Sequence, residues 1–68
     1  MMKIQKTPEG TFAIRASVEE LLILNNALNE VCNGLPLRDF ETRVGAPLSS
    51  VESLLNEVGA ALDGQAAH

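Results

Sequence analysis

Tryptophan and tyrosine are missing from this chain, and two phenylalanines, Phe12 and Phe40, supply all of its aromatic bulk. Aromatic side chains dominate the energetics of most cores and interfaces, so whatever core forms here is mainly aliphatic. There is one cysteine, Cys32, which excludes an internal disulfide. There is one histidine, His68, at the C-terminus, with no second ligand at metal-binding spacing. A zinc site built from Cys and His is therefore not expected, and no metal or cofactor is assigned. The same two scarcities leave no Ser/His/Asp or Cys/His arrangement for nucleophilic catalysis. No pair of carboxylates stands in an acid/base frame and no Gly-rich phosphate loop is visible, so the chain is read as a non-enzyme. Lysine and arginine are absent from residues 44–68. No apolar run approaches the ~20 residues that cross a bilayer. The N-terminal Met-Met-Lys-Ile-Gln-Lys lacks the apolar centre of a signal peptide, and a cytoplasmic location is expected. An unpaired cysteine agrees with a reducing compartment.

What is present is a 68-residue chain with nine acidic and five basic residues, a formal charge of −4, and 46 % hydrophobic residues. That length allows one domain, spanning 1–68, with marginal stability as a monomer. Chains of this size usually add a disulfide, a metal or a partner subunit. With the first two excluded, a homodimer or a protein partner is expected.

Residues 2–16 read as a β-hairpin. Ile4, Phe12 and Ile14 alternate with polar or small residues, the period of a half-buried strand. Between them, Thr7-Pro8-Glu9-Gly10-Thr11 suits a type I turn closed by a glycine bulge. That register sets Ile4 opposite Ile14, Lys6 opposite Phe12, Lys3 opposite Arg15 and Gln5 opposite Ala13. A helix follows over 17–33. Ser17 and Glu20 have the spacing of a capping box, and Leu21, Leu24, Leu28, Val31 and Leu35 recur every three or four residues. Gly34 is expected to end it in a left-handed cap. A short helix over 36–44, closed by Gly45, and a third over 48–63 complete the chain, with a frayed tail at 64–68. Gly59 is expected to weaken the third helix locally. The fold class is α+β, in the order ββααα. An isolated hairpin is not stable, so its Ile4/Phe12/Ile14 face is expected to lie on the helices. Those three residues, with Leu21, Leu24, Leu28, Val31, Phe40, Val44, Val51, Leu54, Leu55 and Val58, form the expected core.

The runs Ala27-Leu28-Asn29-Glu30-Val31-Cys32-Asn33-Gly34 and Asp39-Phe40-Glu41-Thr42-Arg43-Val44-Gly45-Ala46 resemble a group of small uncharacterised bacterial proteins. These share a hairpin, a Leu/Asn-rich helix and a short Phe-containing helix. The resemblance implies a similar fold and a bacterial source. It carries no function, because the matching positions are caps and core residues.

Three features invite a functional reading. Asn25, Asn26, Asn29 and Asn33 crowd the first helix, although asparagine costs about half a kcal/mol per helical position relative to alanine. Leu22 and Ile23 flank this amide face. The amides either bond to the hairpin and the following loop, or they meet another chain; Leu22, Ile23, Asn26 and Asn29 are the candidate partner contacts. Lys3, Lys6 and Arg15 gather on the hairpin and are candidate anion contacts, with an internal carboxylate, a partner's carboxylate or a phosphate as counter-ion. Cys32 lies on the apolar side of its helix and is expected to be a buried thiol. The helix-turn-helix outline of 36–62 is a poor match for DNA, because a cation-free helix bearing Glu52, Glu57 and Asp63 repels phosphate. The leading expectation is a small protein–protein interaction module, immunity-like or an accessory subunit. The alternative is a helix-turn-helix-like regulator that meets nucleic acid through the hairpin cations.

Overall fold

Ser17 decides where the helical part begins. It is in an extended conformation, its hydroxyl accepts the Glu20 N–H at 3.1 Å, and its own N–H donates to Glu20 Oε1 at 2.9 Å. These two reciprocal bonds complete a capping box and satisfy two backbone donors that a helix start otherwise leaves open. In this computed structural model, which describes residues 2–66 and the side chains of 2–64, the chain runs β1 (Lys3–Lys6), β2 (Phe12–Arg15), α1 (Val18–Gly34), α2 (Leu37–Val44) and α3 (Leu48–Ala66). The α+β order ββααα stands as read from sequence. His68 lies outside the described residues.

The two strands pair antiparallel in the expected register: Lys3 with Arg15, Ile4 with Ile14, Gln5 with Ala13, and Lys6 with Phe12. The turn is also as expected. Gly10 takes φ 89°, its N–H reaches Thr7 O at 3.1 Å, and Thr7 N–H reaches Thr11 O at 2.8 Å. The hydroxyls of Thr7 and Thr11, 2.8 Å apart, tie the two strand ends together.

Two boundaries differ from expectation. Gly34 does not leave the helix in a left-handed cap; its φ is not positive, and the chain exits through Leu35 at φ −96°, ψ 139°. Pro36 is the reason, since a residue preceding proline is pushed into the extended region. The third helix does not fray at Gly64 but continues to Ala66. Gly45 behaves as a left-handed terminator, at φ 86°, with its N–H on Glu41 O at 2.8 Å. Both later helices start after a proline. Asp39 N–H bonds to Pro36 O at 3.1 Å, and Ser50 N–H to Pro47 O at 3.1 Å.

The helices pack α1 on α3 and, over a smaller area, α2 on α3, while neither strand packs on any helix. The expected two-layer core is therefore not formed. Only Phe40 on α2, 2 % exposed, and Val51 on α3, 6 % exposed, are buried among the described residues. Leu21, Leu24, Leu28, Val31, Leu55 and Val58 are half-buried. Ile4, Phe12, Ile14, Val44 and Leu54, all expected inside, are exposed. Ala16 and Ser17 alone join β2 to α1, and the capping box fixes the direction of the second; from there only Ile14 and Ala16 of the hairpin end reach the space between α1 and α3. The Cα radius of gyration is 13.5 Å, against about 11 Å for a compact domain of this length.

Candidate interaction surface

On α1 the half-buried positions are Glu20, Leu21, Leu24, Asn25, Leu28, Val31 and Cys32, a stripe at helical spacing that faces α3. Leu22, Ile23, Asn26 and Asn29 point the other way and are exposed, with Ile23 at 66 %. The hairpin does not cover them. The four candidate contacts thus share one open face, flanked by Glu19 and Glu30 and free of any lysine or arginine on the helix.

The asparagines do not bond to the hairpin or to the following loop. Asn33 Nδ2 donates to the Asn29 backbone carbonyl at 2.8 Å and to Asn29 Oδ1 at 3.1 Å, a ladder along the helix itself. A four-residue step brings these two side chains one above the other, which is why the amides find each other first. Asn25 has a separate role. It faces α3 at Gly59, where a Cβ would lie 3.8 Å from Asn25 Oδ1.

The hairpin has two unlike faces. Lys3, Gln5, Ala13 and Arg15, with Ile14, line a shallow depression of about 310 Å³. Lys3 and Arg15 stand directly opposite each other there, while Lys6 falls on the other face beside Phe12. The three candidate anion contacts are therefore not brought together on one surface. The other face carries Ile4, Phe12 and Ile14, and Phe12 is 63 % exposed.

Sequence reasoning missed one surface. Leu21, Leu24 and Leu28 of α1 and Leu54, Val58 and Ala61 of α3 do not close into a core but line an open apolar groove of about 430 Å³, reached at its mouth by Ile14 and Ala16. The signal was present in the composition: two long aliphatic stripes with only one aromatic residue, Phe40, left to fill the space between the helices.

Cys32 is a free thiol and half-buried instead of fully enclosed. The Glu20 carboxyl is held below the usual glutamate range, first by the Ser17 backbone N–H and further by the Ser17 side chain. Among the described residues, no three His, Cys, Asp or Glu side chains converge at metal-binding distances. No described helix is long and apolar enough to cross a membrane.

No protein-family model matches the chain, and comparison with curated proteins and with solved structures returned no match.

Proposed function

We propose that this chain is a small, non-enzymatic protein-interaction module, acting in the cytoplasm as an immunity-like or accessory subunit that binds another protein. The observation that carries the reading is the outward face of α1, where Leu22 and the 66 %-exposed Ile23 stand beside Asn26 and Asn29, all four exposed among the described residues. Glu19 and Glu30 share this side of the helix, but a face meant only for water does not normally expose a leucine and an isoleucine among its charges. Apolar side chains contribute affinity at the centre of an interface, and neighbouring amides fix orientation. Glu19 and Glu30 border this face and α1 carries no base, so the partner it suits is a protein surface with an apolar centre and a basic rim.

The test is affinity capture from the native host with wild-type chain and with Ile23→Asp. At so exposed a position the substitution changes stability by about half a kcal/mol or less. A protein retained by the wild type and recovered at a small fraction by the variant supports the reading. Equal recovery removes the α1 face from it.

A second reading draws on Lys3 and Arg15, paired across the hairpin at the edge of the 310 Å³ depression, as a contact for nucleic-acid phosphate. That face lacks an aromatic side chain on which a base could stack, which places it second. Nucleic-acid binding that falls steeply with salt would promote it; no binding at low salt would remove it.

A further inference from the structure

We infer that the groove between α1 and α3 is filled by the β1–β2 hairpin of a second copy of this chain, exchanged reciprocally so that each copy covers the other. The inference uses residues other than the α1 outward face and leaves that face open.

The hairpin needs a cover. Two four-residue strands do not hold together in water without a third strand or a helix beneath them. Here the apolar face of Ile4, Phe12 and Ile14 has neither. The groove needs an occupant of the same kind. Its lining is almost wholly apolar, and Ile14 stands at its mouth, so the hairpin face and the groove are the two inner surfaces of one open angle. A second copy turned about a two-fold axis meets each surface with the other.

The areas agree with a dimer. A compact monomer of 7.3 kDa exposes about 4,200 Å², whereas this chain exposes 5491 Å². The surplus, roughly 1,300 Å² per copy, is what each protomer contributes to an obligate homodimer interface, which buries about 2,000–5,000 Å² in all. Charge agrees as well. The hairpin strands carry Lys3, Lys6 and Arg15, while α1 and α3 together carry six acids and no base. Of these cations only Lys6 shares the Ile4/Phe12/Ile14 face, so a hairpin laid on the helix pair brings Lys6 to the acidic helices while Lys3 and Arg15 stay on its outer side. The same complementarity exists within one chain, but there only Ile14 and Ala16 reach the groove, and Ile4 and Phe12 stay exposed. A short, fixed connection between two complementary surfaces is the condition under which copies exchange elements.

Sedimentation equilibrium of the full chain tests this, with Phe12→Asp in the hairpin and Leu54→Asp in the groove, both at exposed positions. The wild type is expected at twice 7.3 kDa. Each variant is expected to keep its helical circular dichroism and to dimerise about a hundredfold or more weaker, because a charge is forced into an apolar contact. Mixing the two variants is expected to restore dimers, since one of the two exchanged contacts in a mixed pair is wild type on both sides. Variants that remain dimeric, or a mixture that remains monomeric, overturn the exchange. Should either variant unfold, amide exchange of the wild type decides. Protection at residues 3–6 and 12–15 must rise with protein concentration, and protection independent of concentration overturns the inference. Failure here is separable from failure of the functional reading. A monomeric, folded wild type that still captures its partner through Ile23 removes only the dimer. A dimeric wild type whose capture is indifferent to Ile23→Asp removes only the α1 face.

Discussion

Gly59 of α3 faces Asn25 of α1, and a Cβ added to the glycine would stand 3.8 Å from Asn25 Oδ1, an ordinary van der Waals distance. The glycine is therefore not required for the two helices to approach, and it sits mid-helix, where it costs about 0.8–1.0 kcal/mol relative to alanine. Gly59→Ala is expected to stabilise the chain by about 0.5–1 kcal/mol. A thermal melt should show a rise of about 4 °C or more. A fall would mean that Asn25 cannot yield even this contact.

Gly34 and Gly45 should respond to alanine with opposite signs. Gly34 is helical, with open space around its Cβ position, so Gly34→Ala is expected to gain about 0.5–1 kcal/mol. Gly45 holds φ 86°, where a side chain meets the carbonyl, and Gly45→Ala is expected to cost about 1–2 kcal/mol. Urea titration of both variants checks the pair.

Phe40 is 2 % exposed and is the largest enclosed side chain. Phe40→Ala is expected to cost about 3–5 kcal/mol. That is comparable with the whole stability of a domain of this length, about 3–10 kcal/mol. Near-ultraviolet and far-ultraviolet circular dichroism should both collapse at ambient temperature.

The capping box makes helix stability depend on acid. The folded Glu20 carboxyl ionises below its unfolded counterpart, because Ser17 N–H bonds to the charged form. Its contribution is thus complete above the ordinary glutamate range and disappears as pH falls through the lowered folded value. Glu20→Gln keeps an acceptor for Ser17 but removes the charge, so its melting temperature should be flatter than the wild type's across acid pH. Ser17→Ala should cost about 1 kcal/mol at neutral pH.

Local features were legible in the sequence because their causes lie within a few residues. Gly10 and Pro8 set the hairpin turn and with it the register of Ile4 on Ile14. Ser17 and Glu20 set the start of α1, and Gly45 the end of α2. Gly34 was misread because the dominant influence sat two positions on, at Pro36. The placement of the hairpin was not legible, since an apolar strand face announces that it wants a cover without saying which one. Alternation at Ile4, Phe12 and Ile14 is the same whether the cover is a helix of the same chain or of another. That Leu22, Ile23, Asn26 and Asn29 lie away from the Leu21/Leu24/Leu28 stripe followed from helical geometry, whereas that the hairpin leaves them exposed did not. The groove did not, because the stripes at Leu24 and Leu54 look identical whether the space between them is filled or open.

The strand edges have a consequence for solution behaviour at high concentration. Each strand is four residues long and has one edge unpaired within the hairpin, a template for open-ended growth into fibrils. Three cations on eight strand residues, at Lys3, Lys6 and Arg15, make the stacking of like ribbons repulsive. They act as gatekeepers, the residues that natural sequences set beside unavoidable apolar strands. Replacing them with neutral polar residues removes that repulsion while leaving Ile4, Phe12 and Ile14 on the surface, and is expected to make the chain aggregate at concentrations where the wild type stays clear.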